Sequence, residues 1–155
     1  MKARDWFESI RADVVEMNNL EYAIMRVETQ AGPHGQQAGS IGGGGNRDSM
    51  RGIDSLVDSG ARERLERMQC KTNPRITEAL AVLYGRSGNG GLAKAKHTVD
   101  ADILCGYYLQ GLDWPQVAAQ LSGFNPSRPN GWARMRAMRA LSYIDRVGAD
   151  ALADS

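Results

Sequence analysis

Asp-Ala-Asp-Ile-Leu-Cys-Gly-Tyr-Tyr-Leu-Gln-Gly-Leu-Asp-Trp-Pro-Gln-Val-Ala-Ala-Gln-Leu (100–121) and, beyond a Gly/Pro-rich turn, Trp-Ala-Arg-Met-Arg-Ala-Met-Arg-Ala-Leu-Ser-Tyr-Ile-Asp-Arg-Val (132–147) decide the fold. The stretch 102–109 reads as a short apolar-rich helix. Asp113 has the side chain of a helix N-cap, and Pro115 falls in the first turn, where its missing N–H costs nothing. Gln116 is placed to complete a capping box. Trp114, Val117, Ala118 and Leu121 then recur at helical spacing and predict one buried face. Ala119 stands four residues before Gly123, a pairing that suits a close helix crossing followed by a tight turn.

In the last helix, at about 100° per residue, Ala133, Ala137, Ala140, Leu141 and Ile144 gather on one side, the expected core face. Trp132, Arg136, Arg139 and Tyr143 gather roughly opposite, with Met135 beside them and Arg134 elsewhere. Two guanidinium groups flanked by two aromatics suit phosphate clamping and contacts to guanine edges; a solvated basic face is the plainer alternative. Between Gly123 and this helix stand Asn125 to Gly131, more residues than a compact turn needs. Either Ser127 caps a helix carrying Pro129 in its first turn, or Asn130 caps one that begins at Gly131. In both versions Arg128 lies near a helix N-terminus, where a phosphate can bind. Together the three helices read as a helix-turn-helix, which offers its last helix to the major groove of DNA.

The run from Tyr107 to Leu121 is similar to the segment entering the helix-turn-helix of sigma factor region 4. There an apolar residue, a short "G-L-S/T" turn and "x-x-[IV]-A-x-x-L" follow one another. Arg136, Arg139, Ala140 and Leu141 resemble the "R…R-A-L" run of that recognition helix. The whole layout resembles the small phage-encoded transcription regulators of the ArpU and RinA type: a long N-terminal helix, a Gly-rich break, a second helix, then a sigma-like unit. The motif match covers the last third of the chain, and the lengthened turn departs from it. The resemblance implies a sequence-specific DNA-binding regulator, phage- or prophage-encoded, that activates late genes at promoters or through RNA polymerase.

Composition fits one helical domain's worth of chain: 155 residues with a formal net charge of +1. A nucleic-acid binder so balanced must concentrate its positive charge on one face. From Arg128 to Arg146 five arginines stand against one acid, Asp145, whereas the first thirty residues lean acidic. The expected class is therefore all-α, a coiled-coil-like N-terminal helical hairpin followed by a sigma region 4-like helix-turn-helix.

The hairpin occupies 1–72. Trp6, Ile10, Val14, Met17, Leu20, Ile24 and Val27 step by three or four along a first helix from about Ala3 to Thr29. A Gly-rich linker at 31–46 follows. Asp48 can cap a second helix bearing Met50, Ile53, Val57, Ala61, Leu65 and Met68. The same seams, paired between chains, would give a homodimer suited to paired half-sites on DNA.

Residues 73–97 are expected to form a connecting helix, started by Asn73-Pro74, and a Gly-rich loop at 85–91; the helix-turn-helix occupies 98–148, and 149–155 are a tail. The loop lacks the Gly-Lys-Ser/Thr of a phosphate-binding loop, so a helix–helix connector is the better reading. Lys94 and Lys96 remain candidate phosphate contacts.

Two cysteines, Cys70 and Cys105, do not make a disulfide framework. His34 and His97 have no metal-site spacing to either. Asp100 and Asp102 read as helix-start acids favoured by the helix dipole. No catalytic constellation, cofactor or metal is expected. The opening Met-Lys-Ala-Arg-Asp-Trp-Phe-Glu lacks a signal peptide's apolar run, and no segment approaches a membrane span, so the expected location is cytoplasmic. The DNA-binding reading places Arg128, Trp132, Arg134, Arg136, Arg139 and Tyr143 with the two lysines on double-stranded DNA. Its rivals are a DNA-recognition subunit of phage packaging (small terminase-like) and a helical protein-interaction module anchored by Trp132 and Tyr143.

Overall fold

The computed structural model describes residues 1–31, 44–121 and 131–155, with 30, 31 and 44–59 described by backbone alone. The protein is all-α; no strand occurs among the described residues. Its helices are α1 (Ala3–Ala31), α2 (Gly44–Tyr84), α3 (Gly91–Ala95), α4 (Thr98–Leu104), α5 (Trp114–Leu121), α6 (Trp132–Val147) and α7 (Ala149–Ala153), with a π-helical turn at Cys105–Leu109. The linker at 32–43, and the turn with Gly123, Ser127, Arg128 and Asn130, lie outside the described residues. No described helix is long and apolar enough to cross a membrane.

The chain forms two compact units, Met1–Val15 with Thr72–Ser155, and Glu16–Lys71. This division differs from the expected one because the start of α1 belongs to the C-terminal core. Phe7, Ile10 and Val14 are buried, and Phe7 lies against Tyr108 at 5.5 Å between ring centroids. Each such side chain removed from water contributes about 1.5–3 kcal/mol. Asp13 accepts from Arg75 at 3.0 Å and from the buried Thr72 at 3.3 Å, pairing this end of α1 antiparallel with the end of α2. In the second unit the two helices are again antiparallel, with Glu16 on Arg64 and Glu28 on Arg62. Met17 and Ile24 are buried there, and Ala61, Leu65 and Met68 are half-buried. Met50, Ile53 and Val57 lie among residues whose side chains are not described.

Four expectations need correction. Helix α2 begins at Gly44, before Asp48, and runs unbroken through Asn73-Pro74, so no new helix starts there. Pro74 leaves the Cys70 carbonyl without its usual donor, but Cys70 is exposed and water can replace it. The helix expected over 102–109 is α only to Leu104; the chain then widens into the π turn, with Gln110 N–H donating to the Cys105 carbonyl at 3.0 Å.

Arg11 stabilises that turn from α1, donating to the Tyr107 carbonyl and, at 2.8 Å, to the Leu112 carbonyl. Its guanidinium sits 3.7 Å over the Tyr107 ring, which stacks on Trp114 at 3.7 Å. The close helix approach also falls elsewhere than expected: Ala119 is exposed, and it is Gly106 whose added Cβ would press on Val117 at 3.3 Å.

Residues 149–155 are not a tail. Helix α7 buries Leu152 and Ala153, and the chain beyond it fastens the 85–91 loop. Arg86 N–H donates to the Ala153 carbonyl (2.9 Å), Gly90 N–H to Tyr84 (2.8 Å), and Gly91 N–H to Ser155 Oγ (2.9 Å). Those amides, which a phosphate would need, are already satisfied. Gly91 has φ +66°, and a Cβ there would lie 2.5 Å from the Gly85 nitrogen. Replacing it should cost several kcal/mol, since strain and backbone overlap add. Gly88, at φ +84°, faces open space. In denaturant unfolding we expect Gly91→Ala to destabilise far more than Gly88→Ala, the latter by about 1 kcal/mol; equal effects would contradict this packing.

Tyr84 donates to Asp102 Oδ1 at 2.6 Å, and its hydroxyl is pushed well up, by burial first and that hydrogen bond second. Burial raises Tyr108 to about 12. Both folded values exceed the unfolded one, so this stability is present below about pH 10 and is lost as pH climbs through the folded values. Urea midpoints measured from about pH 9 to about 12 should fall, and less steeply in Tyr84→Phe.

A candidate nucleic-acid interface on the last helix

Helix α5 opens with the anticipated capping box: Gln116 N–H donates to Asp113 Oδ1 at 2.8 Å, and Asp113 N–H to Gln116 Oε1 at 3.0 Å. Val117 is buried, while Trp114, Ala118 and Leu121 are half-buried. Helix α6 starts at Trp132, after Gly131 in a left-handed conformation (φ 91°) with no side-chain cap bond, so it starts later than the Ser127 version supposed. Ala133, Ala137, Ala140, Leu141 and Ile144 are all buried, as their spacing predicts. They pack α6 against α4 and α5, which leaves the opposite side of α6 for solvent or a ligand.

The side chains singled out on that helix separate into three groups. Met135, Arg139, Ser142 and Arg146 form the outward crest, and all four are exposed. Trp132, Arg136 and Tyr143 occupy one flank and are half-buried. Arg134 is exposed on the other side of the helix. An open hollow of ≈ 510 Å³ brings Trp132, Arg136 and Arg139 together with Lys96 and His97. A second, of ≈ 290 Å³, continues from Arg139 along Ser142, Tyr143 and Arg146. The Arg146 guanidinium sits 5.3 Å from the Tyr143 ring centroid. Lys94 is exposed and lines neither hollow, nor does Arg134. Arg128 lies outside the described residues.

Arg136 is tied down. Its Nε donates to Asp100 Oδ1 at 2.5 Å, and Lys96 Nζ lies 3.3 Å from Asp100 Oδ2. Asp100 is only 1% exposed, so its charge is held by two cations rather than by water. It does lie in the first turn of α4, but the dipole of that turn is the smaller part of its environment. His97 caps the same helix, its Nδ1 accepting from Val99 N–H at 3.1 Å.

Sequence reasoning missed Asp100 as a partner of Arg136, and it missed Arg146 and Ser142. The i, i+4 spacing of Lys96 and Asp100 was a usable signal, as was the position of Arg146 seven residues after Arg139. The Asp100–Arg136 contact joins residues 36 apart, and nothing local announces it.

Charge pairing within the first unit sets α6 apart. Among the described residues Arg4 pairs with Glu8, Arg75 with Asp13, Arg86 with Glu78 and Asp154, and Arg136 with Asp100. Arg11 is spent on two carbonyls. Among the described residues, the arginines of that unit held by neither an acid nor a carbonyl are Arg134, Arg139 and Arg146, all on α6.

Compared with protein-family models, curated proteins and solved structures, the chain gives no match.

Loss of Asp100 and loss of Arg139 should therefore behave differently. Asp100→Ala leaves two cations facing each other across a buried gap and should cost about 3–5 kcal/mol in denaturant unfolding. Arg139→Ala should stay within about 0.5 kcal/mol of the parent. Near-equal costs would contradict the pairing described.

Proposed function

We propose that this chain is a sequence-specific DNA-binding transcription regulator that lays the crest of α6 in the major groove. The observation that carries the reading is the pair of acid-free arginines Arg139 and Arg146, on the side of α6 opposite its five buried residues. A helix whose outer face is exposed, cationic and backed by a rigid apolar seam meets the requirements of groove entry. Arg139 and Arg146 are the base-reading candidates, because exposed guanidinium groups offer the bidentate fork that matches guanine O6 and N7. Tyr143 and Trp132 flank them, while Lys96 and Lys94 supply contacts to the backbone.

The resemblance to sigma region 4 and to the ArpU and RinA regulators extends the proposal. In that reading the protein is a cytoplasmic, phage- or prophage-encoded late-gene activator, acting at a promoter or with RNA polymerase. The hairpin at 16–71 is the natural place for pairing of two copies. A second reading is favoured by one observation, the 53% exposure of Met135 on the same crest. An exposed methionine between arginines also suits a protein partner.

The deciding measurement is binding of the purified chain to DNA from its own neighbouring operon, against random duplex, across a salt series. We expect preference for the operon fragment and an affinity that falls linearly in log–log form as salt rises. Arg139→Ala should weaken the specific complex by about 1–3 kcal/mol and leave random-duplex binding nearly unchanged. No duplex binding even at low salt would overturn the proposal and select the interaction module.

A further inference from the structure

We propose that Asp100 is a positioning residue that makes Lys96 and Arg136 a two-pronged clamp for one phosphodiester group of duplex DNA. This rests on the DNA-binding reading above and moves Arg136 from the base edges to the backbone.

The two oxygens of Asp100 are divided between the cations, Oδ1 to Arg136 Nε and Oδ2 to Lys96 Nζ. The carboxylate is buried, whereas the side chains of Lys96 and Arg136 are 29% and 28% exposed. Each cation is thus anchored from beneath and open above. Arginine has five N–H donors and lysine three. With Nε engaged, both terminal nitrogens of Arg136 keep their hydrogens for a ligand, and Lys96 retains more than one.

Both side chains open into the hollow of ≈ 510 Å³, where Arg139 is a third cation and Asp100 is the sole acid among the lining residues. Three positive charges against one negative leave +2, a field that favours an anion. A phosphodiester group brings a single negative charge and two non-bridging oxygens, one for each prong.

Helical geometry separates this clamp from the reading edge. At about 100° per residue, Arg136 lies roughly 100° round from Met135 and roughly 60° from Arg139, toward the core side. An arginine on the flank, held at Nε by a buried acid, faces the wall of a groove and not its floor. Such a contact fixes register and carries no sequence information.

The test uses the full chain and a duplex chosen by selection from a random pool, with each phosphate in turn replaced by a neutral methylphosphonate. One substitution per bound unit should weaken wild-type binding by roughly tenfold or more, the worth of a charge-assisted hydrogen bond. Asp100→Asn, Arg136→Gln and Lys96→Gln should each become insensitive to that substitution while keeping the wild-type base preference at every position. Lys96→Gln alters a partly exposed side chain and keeps the fold, so the test stands even if the Asp100 variant unfolds.

Persistence of the methylphosphonate effect in Lys96→Gln and Arg136→Gln would overturn the clamp, and so would a changed base preference in Arg136→Gln. A response of the Arg136 Nε–H resonance to inorganic phosphate alone, at concentrations where DNA binds, would reassign the cations to a free anion. A wild-type chain that selects no duplex would remove the DNA reading itself, a result distinct from either of these.

Discussion

The arrangement of the C-terminal half depends on one buried carboxylate. Asp100 sits at the start of α4, almost wholly out of water, and meets a cation from the preceding turn and another from α6. An isolated ionised carboxylate in that position would cost several kcal/mol, a penalty that the two cations offset. Their attachment fixes where α6 lies relative to α4. The buried alanines then set how closely α6 packs, and the outer crest follows from both. Hydrophobic burial supplies most of the stabilisation, but it does not specify rotation as strictly as a charge with only two permitted partners.

Parts of this architecture are written in short-range sequence patterns. The buried residues of α6 are legible because three- and four-residue spacing is a local property of the chain. The Asp113–Gln116 box is legible for the same reason, since both hydrogen bonds close within one turn. Helical hairpin segments are visible in the stepping of Ile10, Val14, Met17 and Ile24, all buried.

What was not legible is held by distant partners. Asn73-Pro74 carries a strong local start signal, yet α2 passes through it. The π turn is held by Arg11, 96 residues upstream of Tyr107, and no pattern around Cys105–Leu109 requires it. The final residues look like a tail because their partner is a loop more than sixty residues earlier. Arg136 looked like a free groove-facing arginine because the periodicity of α6 ignores the acid on α4. Even so, Trp132, Arg136 and Arg139 do share one hollow, as their spacing indicated. Tyr143 lies in the adjoining one.

The discontinuity of the first unit has a consequence for how the chain is made. Residues 1–15 complete a core whose other members begin at Thr72. The amide of Ala3 donates to Asp145, 142 residues away, at 2.7 Å. On a ribosome the opening turns of α1 therefore emerge long before anything exists for them to pack against. The segment between can pair locally at once, because its two helices are neighbours in sequence. Closing so long a loop is entropically costly unless the intervening chain is already compact. A hairpin already formed at 16–71 would shorten that loop and ease the meeting of Phe7 and Arg11 with the core residues that begin at Thr72.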